Sequence, residues 1–217
     1  LYRTNAQSRI FEESLRKNNI PYRIYGGLSF YQRKEIKDVI SYFRLIVNPN
    51  DEEAFRRIIN YPSRGIGDVT VSKISYAASQ QQVSLWQVVA APSDYSLDVH
   101  SGTAKKIEKF HALINGFFEQ NKSLNAFELA QEVIRKSGIA AEAYEDMTPE
   151  GMSRTQNIQE LLNAMSEFVS TRQEQGEEQN RLADFLSEVS LLTDQDTDRE
   201  AENEKVTLMT VHSAKGL

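Results

Sequence analysis

The sequence contains no cysteine, which excludes a disulfide framework and any zinc site that depends on thiolate ligands. No apolar run approaches the roughly 18 residues that a membrane-spanning helix needs, and no signal peptide is visible. We therefore expect a cytoplasmic protein with no membrane partner. The chain starts with Leu1 rather than methionine and ends with Gly216 and Leu217, so we expect it to be a piece of a longer protein.

Patterns for catalysis and metal binding are also scarce. The three histidines, His100, His111 and His212, lack the spacing of metal ligands. There is no G-x-x-x-x-G-K-[ST] loop for binding nucleotide phosphates, because in residues 213–217 the lysine precedes its glycine. We see no Ser-His-Asp arrangement either. The sequence predicts no metal site, and the chain should not hydrolyse a nucleotide by itself.

The charge of the chain is unevenly distributed. The net charge is -6, yet residues 1–73 carry 13 Lys/Arg against 8 Asp/Glu, whereas residues 74–217 carry 12 against 23. Screening limits the reach of an exposed charge to roughly 10 Å, so a phosphate-binding face can coexist with an acidic remainder. The alternative is chance clustering on solvated helix faces.

Helical periodicity dominates the middle of the sequence. Ile36, Val39, Ile40 and Phe43 follow the i, i+3, i+4, i+7 pattern, and Pro49 lies just beyond them. Residues 194–204 are acidic and lack a period, which indicates a loop. We interpret the other apolar stripes as core faces as well: Ile10, Phe11, Ser14 and Leu15; Ala54, Phe55, Ile58 and Ile59; Ile107, Phe110, Ile114, Phe117 and Phe118; Phe127, Ala130 and Ile134, ended by Gly138; Ile158, Leu161, Leu162, Met165, Phe168 and Val169; and Leu182, Phe185, Leu186 and Val189.

The two ends of the chain show strand patterns instead. The segment IPYRIYGG, residues 20–27, alternates and stops at a glycine pair, and VTLMTV, residues 206–211, is rich in β-branched residues. Strand-bearing ends around a helical middle suggest an insertion. We predict a mainly α fold, in which a helical insertion lies between short α/β flanks whose strands share one sheet. Tyr2 and His212 should then lie in the same layer.

Two candidate sites lie at the predicted strand ends. Tyr2 can stack on a base and Arg3 can bind phosphate oxygens as an arginine finger, although an ordinary edge strand would show the same pair. The strand at 206–211 would deliver hydroxyl, imidazole and ammonium groups to the sheet edge where α/β proteins bind ligands. These groups belong to Thr210, His212, Ser213 and Lys215.

Two further stretches suit nucleic acid. The turn RGIG, residues 64–67, can point backbone N–H groups at a phosphate beside Arg64 and Lys73, as in helix-hairpin-helix modules. A structural turn with Ile66 in the core is the equal alternative. Residues 22–38 interleave aromatic rings with cations, as single-strand grooves do, although these rings could also be core residues. The members are Tyr22, Tyr25, Phe30, Tyr31, Arg23, Arg33, Lys34 and Lys37.

Together these stretches resemble the second half of the superfamily 1 DNA helicases of the UvrD/PcrA/Rep type. LYRTNAQSR resembles motif IV of that family, and PYRIYGGLSFYQRKEIKD resembles the segment after it. PSRGIG resembles the family's TRGIG segment, and VTLMTVHSAKGL resembles motif V, cut before the glutamate that normally follows. The resemblance covers the whole chain in the family's order.

The resemblance implies roles for these residues. Tyr2 would stack on the adenine of ATP, Arg3 would reach the γ-phosphate as the catalytic residue, and Gly216 would lie near the nucleotide. Thr210 and His212 would contact single-stranded DNA. The implied DNA-binding set is Phe30, Tyr31, Arg33, Arg64, Gly65, Ile66, Gly67, Thr210, His212, Ser213 and Lys215, of which Gly65 to Gly67 would meet the duplex backbone.

The resemblance also implies a domain plan and a function. Residues 1–30 would start the RecA-like domain 2A, residues 31–204 would hold a helical block with the 2B-like subdomain, and residues 205–217 would return to 2A. The 2A/2B boundary would fall within 63–98. The longer protein would be an ATP-dependent 3′-5′ DNA helicase that uses ATP and Mg²⁺, acts on single-stranded and duplex DNA, and works with DNA repair proteins. The alternative is a helical DNA- or protein-binding module without catalysis.

Overall fold

The computed structural model of the chain describes residues 1–25, 27–197 and 205–215. Helices make up most of this part, as predicted, and none of them combines the length and hydropathy that a bilayer span requires. The α-helices are α1 (Ser8–Lys17), α2 (Lys34–Val47), α3 (Glu52–Ile58), α4 (Asp68–Gln81), α5 (Leu85–Ala90), α6 (Ser101–Asn121), α7 (Ala126–Ser137), α8 (Ile139–Glu145), α9 (Pro149–Glu174), α10 (Leu182–Thr197) and α11 (Val211–Ala214), and two short 3-10 helices span Asn5–Gln7 and Phe30–Gln32.

The two ends of the chain meet in a small parallel sheet. Strand β1 (Tyr22–Ile24) pairs with β2 (Val206–Leu208), and Tyr22 lies opposite Val206 in the register. A further parallel bridge joins Tyr2 to Thr210. Segments about 200 residues apart in sequence therefore lie side by side in one layer, as the strand patterns predicted. Parallel strands require such a crossover connection, because a tight turn can join only antiparallel neighbours.

The chain forms two compact units, each of which is described by itself. Unit 1 contains Leu1–Lys37 and Ala140–Leu217, and unit 2 contains Asp38–Ile139. Unit 1 holds the sheet, α1 and α9, whereas unit 2 consists of helices and their turns. The predicted 2A/2B boundary within 63–98 concerns a division of the helicase domains and stays a prediction.

Most of the apolar stripes form core, as predicted. Ala54, Phe55, Ile58 and Ile59 are all 1% exposed or less, and Gly138 ends α7 in the left-handed conformation with φ +94°. Burial of each large apolar side chain contributes roughly 1.5–3 kcal/mol to folding. The helical stripes on α6, α9 and α10 likewise bury their central members, including Ile114, Phe117, Leu161, Met165, Leu182 and Phe185.

Helix α1 contradicts the interpretation of its stripe as a core face. Ile10 is 57% and Phe11 is 45% exposed, whereas Arg9, Glu12 and Arg16 are buried. The periodicity gave the helix correctly but assigned the wrong face to the core. Buried charges are tolerated here because carboxylates and cations pair with each other and with backbone groups, as described below.

Other elements differ from the sequence prediction in length. Strand β2 ends at Leu208 instead of residue 211, because Thr210 caps α11 and starts a helical turn. Helix α10 continues to Thr197, so the predicted loop at 194–204 is wrong for its first four residues, and residues 198–204 lie outside the described part. Helix α5 was not predicted, although Ser84 and Gln87 form a capping box at its start that the sequence could have revealed.

Candidate functional site

The parallel bridge brings the two predicted strand-end sites together. The Tyr2 N–H donates to the Met209 carbonyl oxygen at 3.1 Å, and the Val211 N–H donates to the Tyr2 carbonyl oxygen at 2.8 Å. Arg3 therefore follows directly on a residue that is paired with Thr210. The carboxyl ends of parallel strands are where α/β sheets bind ligands, and both predicted sites lie at this edge.

Thr210 turns the chain from the sheet into α11. Its Oγ1 accepts a hydrogen bond from the Ser213 N–H at 3.0 Å and lies 2.9 Å from Ser213 Oγ. This N-cap replaces the continued strand that the sequence predicted. His212 and Lys215 are exposed on the helical turn, so their side chains are accessible to a ligand. Gly216, predicted to lie near the nucleotide, is outside the described residues.

A cleft of about 530 Å³ opens at this edge of unit 1. One wall comes from both strand ends and the other from the first turns of α9. None of its lining residues is a carboxylate, so its chemistry suits an anionic ligand rather than a cation. The lining residues are Tyr2, Arg3, Thr4, Asn5, Ile24, Tyr25, Gly27, Pro149, Met152, Ser153, Gln156, Thr210, His212 and Ser213.

Arg3 has its charged group available. Its backbone N–H donates to Gln7 Oε1 at 3.0 Å, as part of the capping box that starts the first 3-10 helix. Its guanidinium forms no hydrogen bond or ion pair with the residues that the structure describes, and the residue is exposed. A guanidinium in this state can bind phosphate oxygens in a bidentate manner. The backbone is fixed while the donors remain free.

Tyr2 is placed differently from its neighbour. The residue is 5% exposed, and its ring is stacked on Phe11 with centroids 6.2 Å apart. Burial raises the pKa of the Tyr2 hydroxyl, which a nearby Arg33 partly opposes. Its ring is thus mostly covered within unit 1, and adenine stacking by Tyr2 stays a prediction.

The predicted DNA-lining group at residues 30–33 lies in the interior of unit 1. Phe30 is 0%, Tyr31 is 5% and Arg33 is 8% exposed. The Phe30 and Tyr31 rings contact edge to face at 5.1 Å. Arg33 Nη1 donates to Asn157 Oδ1 at 2.8 Å, and its Nη2 donates to Ser8 Oγ at 2.6 Å. The structure shows these side chains holding the fold together, and direct contact with DNA stays a prediction.

Sequence reasoning missed the buried carboxylate beside this group. Glu12 is 0% exposed, and both of its oxygens accept from the Phe30 N–H at 3.1 and 3.2 Å. Tyr22 Oη and Arg16 Nη2 donate to the same carboxylate at 3.4 Å each. Burial raises the pKa of the Glu12 carboxyl despite these donors. Only the spacing of Arg9, Glu12 and Arg16 along α1, three and then four residues apart, could have indicated a polar buried face.

The RGIG turn lies in unit 2, and its arginine is fully engaged. The Arg64 guanidinium donates to the carbonyl oxygens of Ile58, Tyr61, Pro62 and Ser137 at 2.7–3.1 Å, and to the Tyr42 hydroxyl. It also lies 5.6 Å from the centre of the Phe110 ring. Through these contacts the guanidinium joins α3, the turn and the end of α7.

The glycines of the turn have different local geometries. Gly65 has φ +69°, and a Cβ atom placed on it would lie 2.5 Å from Lys106 Nζ. Gly67 is the exposed N-cap of α4, and a Cβ atom placed on it would meet no other atom within 4 Å. Between them Ile66 is 1% exposed, as the structural alternative predicted. The turn therefore anchors Ile66 in the core and still exposes the start of α4.

Basic residues that the sequence reasoning did not single out surround this turn. Lys106, Lys109 and Lys136 line a cleft of about 440 Å³ together with Arg64, and the lining contains no carboxylate. Lys106 Nζ donates to the Gly65 carbonyl oxygen at 3.2 Å. Lys136 pairs with Glu132 at 2.5 Å, while Lys109 forms no ion pair within the described residues. The spacing of these lysines in the sequence did not predict a basic cleft, because the cleft forms only when α6 and α7 pack together.

The sequence comparisons give the class of protein to which these sites belong. The model of the UvrD-like helicase C-terminal domain matches residues 1–217. The chain therefore belongs to the UvrD-like helicase C-terminal domain family, which confirms the resemblance in the sequence. It is also similar to the ATP-dependent DNA helicase PcrA of Staphylococcus aureus strain Mu50, at 40% identity, and of Staphylococcus epidermidis strain ATCC 12228, at 39% identity. Each match covers 100% of this chain and 29% of the relative.

Proposed function

We propose that this chain is the part of an ATP-dependent DNA helicase that contributes one side of the nucleotide site and part of the DNA track. The observation that carries the proposal is the bridge between Tyr2 and Thr210. It places an arginine with free donors beside the hydroxyl and imidazole groups of the motif V segment. The membership in a helicase family and the relatives named as DNA helicases support it.

In this proposal Arg3 binds the γ-phosphate of ATP. An arginine that stabilises the charge developing on a transferring phosphoryl group accelerates the transfer by a factor of about 10³–10⁵. The exposed guanidinium and the capped backbone of Arg3 suit this role. Mg²⁺ would be bound together with the phosphates of ATP. The chain alone would be inactive.

The DNA track has two proposed parts. In unit 1, Thr210, His212, Ser213 and Lys215 would contact the backbone of a single strand through hydroxyl, imidazole and ammonium groups. In unit 2, the exposed start of α4 at Gly67 and the lysines of α6 would contact duplex phosphates. Arg64 and Ile66 would support that surface from within, because their side chains are already engaged in the fold.

The domain plan follows the same proposal. Residues 1–30 and 205–217 would belong to the RecA-like domain 2A, and the helical 2B-like subdomain would begin within 63–98. ATP binding would draw this domain towards a second RecA-like domain and hydrolysis would release it, which steps the protein 3′ to 5′ along one strand. The protein would act on the DNA of the bacterial cytosol, in repair or replication and with repair proteins as partners.

A strand-displacement assay on the intact protein tests the proposal. Two duplexes of the same sequence are compared, one with a 3′ single-stranded tail and the other with a 5′ tail, in the presence of ATP and Mg²⁺. We expect unwinding of the 3′-tailed duplex and ATP turnover that increases when single-stranded DNA is added. If the protein binds both duplexes but neither unwinds them nor turns over ATP, the alternative of a non-catalytic binding module is correct.

A further inference from the structure

The cleft in unit 1 has two walls that are far apart in sequence. One wall includes residues 2–5 with Thr210, His212 and Ser213, and the other is the start of α9, which contributes four lining residues between Pro149 and Gln156. The two walls have no covalent link near the cleft. The spacing between them therefore depends on the packing of α9 against Asn5–Gln7 and on the side chains that bridge α9 to the start of α1.

Arg33 is bonded to the residue that follows the α9 wall and to Ser8, which lies three positions beyond Asn5 of the other wall. Its acceptor Asn157 follows Gln156, which lines the cleft, and its acceptor Ser8 follows Gln7, which holds the Arg3 amide. A guanidinium is planar and presents its N–H groups in a fixed fork, so it sets the separation and orientation of two acceptors at once. Lysine has one rotatable ammonium group and cannot reproduce that geometry.

The surroundings of Arg33 favour a fixed position. Ser8 is 0% and Asn157 is 2% exposed, and the guanidinium lies 5.3 Å from the centre of the Phe30 ring. On the far side, Asn157 Nδ2 donates to Glu35 Oε1. A buried polar cluster with satisfied hydrogen bonds is rigid, because losing any partner leaves a desolvated group unpaired.

A separate link, made of ion pairs, joins α1 to α9 farther along α9. Arg9 Nε donates to Glu160 at 2.7 Å, and Arg9 Nη2 lies 3.4 Å from Glu167. Glu160 is one helical turn beyond the Asn157 contact, so this pair holds the helices together without touching the cleft. Among these links, Arg33 has the acceptor closest in sequence to the lining residues of α9.

We propose that Arg33 is a positioning residue that sets the width of the single-strand cleft through Ser8 and Asn157. It acts on the DNA-contacting residues without touching the DNA itself. This inference rests on the proposed function, since it assigns a single strand of DNA to the part of the cleft formed by Thr210, His212 and Ser213 and leaves Arg3 to the nucleotide. It also gives Phe30 a role as the buried support of the guanidinium.

Binding of a fluorescent oligo-dT by the intact protein, followed by anisotropy well below the unfolding temperature, tests this role. We expect Arg33→Met and Asn157→Leu each to weaken the affinity about tenfold, because each removes the same link between the walls. The double variant should be no more than about twofold weaker than either single variant, as expected for residues that act through one contact. Ser8→Ala, a smaller change, should weaken binding about threefold.

Two controls separate positioning from other roles. Val133→Ala creates a cavity in unit 2, where Val133 is 0% exposed, and should lower the unfolding temperature without changing the oligo-dT affinity. Arg33→Lys preserves the charge but not the fork, so a positioning residue should lose most of its effect, whereas a direct phosphate contact should be retained.

Three results would overturn the inference. One is an affinity within twofold of the unchanged protein for both Arg33→Met and Ser8→Ala. Another is full retention of affinity in Arg33→Lys, which would make Arg33 a direct DNA contact. A third is independent, multiplying effects of Arg33→Met and Asn157→Leu. If the unchanged protein does not bind oligo-dT, the proposed function itself fails.

Discussion

Arg3 in unit 1 and Arg64 in unit 2 stand at the two predicted phosphate sites, yet their guanidinium groups are in opposite states. Arg3 is exposed, and its guanidinium has no partner among the described residues, whereas Arg64 donates to four backbone carbonyls and a tyrosine hydroxyl. An arginine can bind a ligand phosphate only with donors that its own chain leaves free. The same residue type is therefore left free for a ligand in one unit and is used for structure in the other.

The largest expected effect belongs to Arg3. We predict that Arg3→Ala in the intact protein lowers ATP turnover by about 10³-fold or more, because the charge on the transferring phosphoryl group loses its arginine. Affinity for single-stranded DNA should stay within about twofold, since Arg3 is assigned to the nucleotide. Steady-state ATP hydrolysis and oligo-dT binding measure the two properties.

The control for Arg3 is Arg56→Ala, which removes another exposed arginine. Arg56 is paired only loosely with Glu52, at 3.5 Å on the surface of α3, and exposed pairs of this kind contribute little. ATP turnover should be unchanged in Arg56→Ala. Near-normal ATP hydrolysis in Arg3→Ala would show that Arg3 does not bind the γ-phosphate. The contrast drawn between Arg3 and Arg64 would then fail as well.

Arg64 should show the opposite behaviour. We predict that Arg64→Met destabilises the fold by about 2–3 kcal/mol, because hydrogen bonds to a charged group contribute roughly this much and several carbonyls are left unpaired. Urea unfolding at equilibrium measures the change. Unchanged stability together with lost duplex binding would show that Arg64 serves DNA after all.

We expect the lysines beside Arg64 to contact the duplex phosphates, because the Arg64 guanidinium is bonded within the fold. Lys106→Ala with Lys109→Ala should weaken duplex binding by about tenfold and reduce the slope of log K against log[salt] by about 1–2, since each phosphate contact contributes about 0.9. Lys122, which is paired with Glu119 at 2.6 Å at the end of α6, gives the control. Its replacement by alanine should leave the salt slope unchanged.

Substitutions of Gly65 and Gly67 should separate the effect of the turn on stability from its effect on DNA binding. Gly65→Val should destabilise the fold by roughly 1–2 kcal/mol, because its φ of +69° is unfavourable for a β-branched residue. Gly67→Val should leave stability nearly unchanged and weaken duplex affinity severalfold more than single-strand affinity, since it covers the start of α4. If Gly67→Val weakened duplex and single-strand affinity equally, the whole turn would have only a structural role.

The smallest expected effect is a pH dependence in unit 1. The pKa of Glu12 is raised by burial, so the folded state binds this proton more tightly than the unfolded state does. The stabilisation is present at low pH and is lost as the pH rises from the ordinary glutamate value towards the raised one. Relative to Glu12→Gln, the unchanged protein should therefore lose stability over that window, which thermal unfolding at a series of pH values can measure. A gain in stability of the unchanged protein relative to Glu12→Gln as the pH rises through that window would contradict the raised pKa.

Local patterns predicted much of the fold because they are set by spacing along the chain. The stripes at 54–59 and 158–169 and the glycine at 138 follow from helical periodicity and from the left-handed conformation at a helix end. Helix α1 shows where this reasoning fails. A period indicates a helix, but the face that is buried depends on partners, and here the partners of Arg9 are Glu160 and Glu167 on α9.

The candidate site was likewise predicted only in part from the sequence. Residue types and order in the sequence identified the helicase family and singled out Tyr2, Arg3 and Thr210. They could not show whether a given side chain has free donors, since that depends on neighbours from distant parts of the chain. Arg33 is bonded to Ser8 and to Asn157, which is 124 residues away in sequence.

By itself, the sequence determined the class of protein, the helical middle with strands at both ends, and the residues that belong to each motif. Only the tertiary structure decided which polar groups face a ligand and which are used within the fold. The physical reason is that a hydrogen-bond donor or a charge interacts through space, and folding brings its partners from anywhere in the chain. In the sequence, Arg3 and Arg64 are equally able to bind a phosphate. Only their surroundings in the folded chain show which guanidinium has free donors.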